Sequence, residues 1–316
     1  MKFATIAAVL AALALAAPAT AETRITYKSA KSGTAYYQMG VEISEALKTG
    51  TQGGVIVTLE ESQGSVQNVM EVRARGGDYV FTTPPALIGA AQAASGPFDG
   101  KGDPAFDGIR ALFPIPSLTM HFVLSQGSGV ADIAGLEGKT ILLGAGSFGA
   151  TEGEKYLELF GLTGKVTIAD SELSNAVGAL KNGQIDGFVT AGSYPAPNVI
   201  EAAASTPVRI LSMSDEQVAA ARRTRVVIPA GTYAGQDSDV TTTSLPVVAY
   251  ATDKMDDDTA YQLTKTFWEQ KDAMGGTAPW WAAVSTDMLS NVTTRVHPGA
   301  ARYYREIGVA LTDSQM

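Results

Sequence analysis

Short β-rich runs alternate with helical stretches along nearly the whole chain, and this alternation restricts the fold more than any single motif does. Runs rich in β-branched and aromatic residues predict strands over residues 24–28, 55–60, 79–82, 121–125, 140–143, 165–169, 187–190, 208–211 and 245–251. Apolar residues at helical spacing lie between them, at residues 36–47, 66–74, 149–160 and 175–181. Strands and helices in this order make an α/β protein. A mature chain of about 295 residues exceeds a usual single domain and favours two lobes.

A weak internal echo points the same way. Val69-x-x-Val72-Arg73 followed by Asp78-Tyr79-Val80-Phe81-Thr82 matches Val177-x-x-Leu180-Lys181 followed by Asp186-Gly187-Phe188-Val189-Thr190. Each copy reads as an amphipathic helix feeding an apolar strand that ends in hydroxyl residues. Two lobes of like design, ending their strands at a shared cleft, produce such a repeat.

The N-terminus points to export. Met1-Lys2-Phe3, an apolar stretch from Ala4 to Ala17 and then Ala19-Thr20-Ala21 have the order of a cleavable export signal, with cleavage expected after Ala21. The apolar run is shorter than the roughly 20 residues of a membrane span, and no later window approaches that length. A soluble periplasmic protein is therefore expected. The chain has no Cys, so it forms no disulfide. Its 23 basic residues stand against 32 acidic ones, a formal net charge of −9. Nucleic acid is excluded as a partner, because neutralising phosphates takes clustered Lys and Arg. The densest basic group, Arg222-Arg223-Arg225, reads as a solvated helix end. Asp256-Asp257-Asp258 reads as a helix start, where carboxylates cap free N–H groups, rather than as a calcium loop.

Three strand-to-helix turns carry the candidate chemistry. Gly144-Ala145-Gly146-Ser147-Phe148-Gly149 is a literal G-x-G-x-x-G, with Asp170 near the end of the next strand. An exported chain meets little dinucleotide, the leader lacks twin Arg, and the motif lies mid-chain. What remains is a glycine-rich turn whose backbone N–H groups face any anion, a carboxylate as well as a phosphate. The other two turns are Ser29-Ala30-Lys31-Ser32-Gly33-Thr34-Ala35-Tyr36-Tyr37 and Ser62-Gln63-Gly64-Ser65, the second followed by a helix bearing Asn68. Three such turns predict helix N-termini converging on one anionic ligand. Catalysis finds little support: the two His, His121 and His297, sit in structural settings, and no nucleophile or metal-ligand motif appears. No catalytic residue, metal or cofactor is expected.

Two longer motifs carry a family resemblance. Ile228-Pro229-Ala230-Gly231-Thr232-Tyr233 with Gly235-Gln236-Asp237, and His297-Pro298-Gly299-Ala300-Ala301-Arg302-Tyr303-Tyr304-Arg305-Glu306, resemble the TAXI family of solute receptors for tripartite ATP-independent periplasmic (TRAP) transporters. The Ser32–Tyr37 turn, Gly64-Ser65-Val66 with Asn68, Gly183-Gln184-Ile185-Asp186 and Gly192 with Pro195 follow in the family's order. The resemblance implies a type II periplasmic-binding-protein fold, with two α/β lobes joined by hinge strands and a ligand in the cleft. Residues 1–21 are then the leader, 22–120 the first part of lobe 1, 121–245 lobe 2, and 246–316 the return to lobe 1, with crossings near His121–Ser125 and Leu245–Ala251.

The implied function is capture of a small organic anion, a carboxylate, dicarboxylate or glutamate-like amino acid, by a monomer that delivers it to an ion-gradient-driven TRAP permease. Expected donors are Ser32, Gly33, Thr34, Ser65 and Ser147; Tyr36 and Phe148 pack on the ligand, Asn68, Thr83 and Gly192 complete the walls, Gly149 belongs to the same ligand-binding set, and Lys31 is the one cation in the turns. The sequence departs from the family at Ala35, at Phe148 and at Thr83-Pro84-Pro85, all ligand-facing positions in the family, which points to a less polar or differently shaped organic anion. A sensor docking on a membrane kinase, or a secreted enzyme using the same cleft, are the alternatives.

Overall fold

The computed structural model describes residues 22–316 except Gly33, Gly146, Thr277, Pro279 and the side chain of Phe148. The expected leader and its cleavage site lie outside the described residues. The chain begins with β1 (Thr23–Lys28), β2 (Val55–Glu60) and β3 (Tyr79–Thr83), which run parallel in the order β2-β1-β3, with α1 (Ala35–Gly50) and α2 (Ser65–Glu71) as crossovers. After α3 (Pro85–Gln92) comes the long strand β4 (Ile109–Ser125). A second parallel set follows: β5 (Thr140–Leu142), β6 (Thr167–Ala169) and β7 (Gly187–Gly192) in the order β7-β5-β6, crossed over by α4 (Phe148–Leu159) and α5 (Ala176–Lys181). α6 (Pro197–Ser205), β8 (Val208–Ile210), α7 (Asp215–Ala221) and β9 (Thr224–Ile228) complete it. The second long strand, β10 (Val240–Thr252), leads back to α8 (Asp257–Gly275), α9 (Trp280–Ala283) and α10 (Pro298–Glu306).

β4 and β10 pair antiparallel and join the two sets into one sheet. β10 pairs with β3 at one end and β9 at the other, while β4 pairs with β7 and β8. The echoed segments therefore occupy equivalent places, since β3 and β7 each flank a long strand. The apolar core divides with the sheet. One cluster gathers Ile25, Phe81, Phe113, Leu118, Val247, Phe267 and Trp281, among others. Two more, one on each side of the second strand set, include Met120, Phe122 and Tyr156, and Val123, Phe188 and Val240. Leu118 thus packs in the first body and Met120 in the second.

β4 begins well before the predicted segment at His121, and the physical reason is Pro114 and Pro116. Proline donates no ladder hydrogen bond and reads as a strand breaker. Here Pro116 falls where the register slips: Leu245 faces Leu118, but Val247 faces Ile115, which leaves Pro116 and Pro246 at a bulge. The strand β9, absent from the predicted set, follows Arg222, the left-handed C-cap of α7. Asp256 caps α8 as expected, accepting from the Thr259 N–H at 2.8 Å.

Candidate functional site

The carboxyl ends of both parallel strand sets turn into helices, and these turns meet at a cleft beside the long strands, where open α/β sheets place their ligands. From the first body the cleft is lined by Ser29, Ala30, Lys31, Thr34, Tyr36, Gln63, Gly64, Ser65 and Thr82. From the second come Ser147, Gly149, Leu173 and Ala191; Leu118 and Val247 of the long strands complete the wall. The internal free volume is about 50 Å³, so the two bodies are drawn close together.

Each turn is built by its cap. The Thr34 hydroxyl donates to the Lys31 carbonyl at 2.7 Å and accepts from the Tyr37 N–H at 3.3 Å, opening α1. Ser147 accepts from the Ala150 N–H at 3.0 Å and opens α4. α2 starts from Gly64 at φ 118°, a conformation that L side chains rarely adopt. Gly144, at φ 83°, turns β5 toward α4, and a Cβ there would lie 2.8 Å from that of Leu173. The first turns of α1 and α4 therefore present backbone N–H groups and the positive end of the helix dipole to one space.

Of the predicted site residues, Lys31, Thr34, Tyr36, Ser65, Ser147 and Gly149 line the cleft together. Gly33 and the Phe148 side chain lie outside the described residues. Ser32 is exposed, and its N–H donates to Glu61 Oε1 at 2.8 Å, so it is not a wall of the cleft. Asn68 is fully buried below the wall, where its Nδ2 donates to the carbonyls of Ser29 at 2.8 Å and Thr82 at 2.9 Å. It fixes the loop after β1 to the end of β3. Thr83 is also fully buried and off the lining. Gly192 ends β7, where an added Cβ would lie 3.1 Å from Cβ of Ala35 in the other body.

Lys31 crosses the cleft. Its Nζ donates to the Ala145 carbonyl at 3.1 Å and pairs with Glu172 Oε1 at 3.1 Å, both in the second body. Tyr36 is anchored by its hydroxyl, which donates to the Pro116 carbonyl at 2.5 Å, at the bulge of β4. Sequence reasoning misses Leu118, Leu173, Ala191 and Val247 because no motif marks them; topology alone brings them to the cleft. Ser29 and Gln63 lie within the recognised turns, and Thr82 ends the first echoed strand, within reach of that signal.

Both His are structural. His121 is fully buried on β4: its Nδ1 contacts the Thr119 carbonyl at 3.0 Å, and its Nε2 lies 2.8 Å from the Tyr233 hydroxyl. The Ala196 N–H donates to the same hydroxyl at 2.9 Å. With the proton on Nδ1, neutral His121 donates to Thr119 and accepts from Tyr233, and burial pushes its pKa down to about 4. His297 caps α10, accepting from the Gly299 N–H at 3.2 Å, and burial lowers its pKa too. Among the described residues no group of three or more His, Cys, Asp or Glu is placed to hold a metal, and no helix is long and apolar enough to cross a membrane.

Residues 28–308 match the NMT1-like family, and the chain belongs to that family. Among solved structures it resembles the periplasmic binding protein BugD, at 11% identity over 90% of this chain and 98% of that one, with a TM-score of 0.53. It also resembles MatC from Rhodopseudomonas palustris with bound malate, at 12% identity over 85% of this chain and 88% of that one, with a TM-score of 0.51. The chain has the two-lobed α/β fold of periplasmic binding proteins.

Proposed function

We propose that this chain is a periplasmic solute-binding protein that captures a small organic anion between its lobes and passes it to a membrane permease. The observation that carries this is the meeting of capped helix N-termini from both bodies, α1 and α4, in one cleft beside the two long strands. A ligand held there touches both lobes and so stabilises the closed arrangement over the open one. The fold neighbour MatC holds malate, a dicarboxylate, which accords with an organic anion as the ligand here. The His297–Glu306 and Ile228–Asp237 motifs favour a TRAP permease of the TAXI type as the partner.

In this scheme lobe 1 comprises residues 22–120 and 246–316, lobe 2 residues 121–245, and the separation of the apolar clusters near Leu118 and Met120 supports such a division. Ser65, Ser147 and the N–H groups of Tyr36 and Gly149 contact the ligand, Thr34 and Asn68 hold the turns, and Gly192 sets how closely the lobes approach. In this reading the ligand leaves the cleft chemically unchanged. The test is a thermal-shift screen of residues 22–316, unfolded and refolded to strip bound solute, against carboxylates, amino acids and neutral solutes. A native-state ligand raises the midpoint. A shift with one organic anion that is recovered chemically intact is expected; consumption of that anion would indicate an enzyme instead.

A further inference from the structure

We infer that the cleft takes an anion with a single carboxylate and a small apolar body, and rejects a second carboxylate. This rests on the anion-receptor function proposed above and deepens it. The charges that face the cleft can be counted. Each of the helices α1 and α4 contributes about half an elementary charge at its N-terminus, so together they balance about one negative charge. Lys31 is the one Lys or Arg lining the cleft among the described residues. It is already matched by Glu172 at 3.1 Å and bonded to the Ala145 carbonyl. Lys28, close by in the chain, is matched by Glu60 at 3.3 Å and Glu71 at 3.2 Å, and Arg75 bridges the same two carboxylates.

The remaining wall is apolar. Leu118 and Val247 come from the long strands, Leu173 and Ala191 from the second body, and Ala30 from the first. A second carboxylate would lose its hydration against these side chains, or approach Glu172, and neither position returns an opposite charge. An alkyl chain placed there gains by leaving water. The cleft is narrow, with a free volume of about 50 Å³, which favours a short chain.

The experiment is isothermal titration of the stripped, refolded protein with matched pairs: pentanoate against glutarate, and 2-oxopentanoate against 2-oxoglutarate, with pentanamide as the neutral probe. The monoacid of each pair is expected to bind more tightly by about tenfold or more. Glu172→Gln then separates a charge limit from a simple size limit. Glu172 is 62% exposed in its side chain, so the variant folds, and it releases the Lys31 charge. The gap between monoacid and diacid is expected to narrow. Equal or tighter diacid binding by the unmodified protein overturns the inference while leaving the anion-receptor function standing. A gap unchanged in Glu172→Gln overturns it too, because Lys31 would then not set the limit. If neither acid of either pair binds at millimolar concentration the inference fails, and if pentanamide binds in their place the anion-receptor function falls with it.

Discussion

The buried His121 makes stability depend on pH in a way that can be worked out from its surroundings. Its neutral ring is fully satisfied, donating from Nδ1 to the Thr119 carbonyl and accepting at Nε2 from the Tyr233 hydroxyl. A second proton would place a positive charge in the buried interior, away from water. The folded pKa is about 4 against an ordinary value of 6.5. Between these values the unfolded chain binds the proton and the folded one does not, so stability rises with pH across the window. His121's contribution is complete above pH 6.5 and is lost as pH falls toward 4. At 1.36 kcal/mol per unit the span is worth about 3 kcal/mol. His297, shifted the same way, adds to it. The assay is urea unfolding at each pH from 8 to 4 for the unmodified protein and for His121→Gln, in which carboxylate titrations common to both cancel. The stability advantage of the unmodified protein over the His121→Gln variant should shrink by about 3 kcal/mol across the window. A flat difference, or an imidazole that titrates near 6.5 by NMR in the folded protein, refutes the reasoning. Because burial is the main cause of the shift, Tyr233→Phe should cost about 1–3 kcal/mol yet leave the His121 pKa low.

Three further substitutions test other parts of the molecule. Gly192→Val places a branched side chain where even a Cβ would lie 3.1 Å from that of Ala35, so calorimetry should show solute affinity weakened about tenfold or more, while X-ray scattering shows a more open shape and the melting temperature stays near normal. Arg223→Leu leaves the buried Glu152 with Lys155 alone; since Arg223 is 29% exposed the cost in urea unfolding should be about 2 kcal/mol, below that of a fully buried pair. Gly299→Ala drives a Cβ into the Asp257 carbonyl oxygen, and separating α8 from α10 should lower stability by about 3 kcal/mol or more, measured by thermal unfolding.

Most of the α/β alternation is legible in the sequence because strands such as β2 and β3 and helices such as α1 keep their own periodicities. The three turns are legible as well, since a hydroxyl or glycine before an amphipathic run is a local cap signal that needs no tertiary context. What escapes a local reading is everything set by distant partners. β4 looks short because Pro114 and Pro116 break a strand pattern locally, while the ladder to β10 pairs Pro114 opposite Val248 and leaves Pro116 at a bulge. Leu118 and Val247 carry no motif, and their place in the cleft follows from the crossing of two strands far apart in sequence. Asn68 lies beside a turn and so reads as part of the wall, but one helical turn of rotation sends its amide inward to Ser29 and Thr82. Lys31 reads as a free cation, and only the approach of Glu172 shows its charge to be spent.

The two motifs that carry the resemblance serve the scaffold, and together they bound where the molecule can bend. Tyr233, at the end of Ile228–Tyr233, reaches across to His121 and accepts from Ala196, locking the lobe 2 half of β4 to the loop after β7. His297 and Gly299 lock α10 against α8, and the Tyr304 hydroxyl donates to the Leu112 carbonyl at 2.8 Å, fixing the lobe 1 half of the same strand. Between these anchors lies the bulge at Pro116 and Pro246, where the ladder is interrupted. The Tyr36 hydroxyl bonds to the carbonyl of Pro116 itself, while the same residue lines the cleft. Under the proposed function, a solute that packs on Tyr36 would bear on this bulge through the Tyr36–Pro116 hydrogen bond, and so couple ligand contact to the geometry of the long strands.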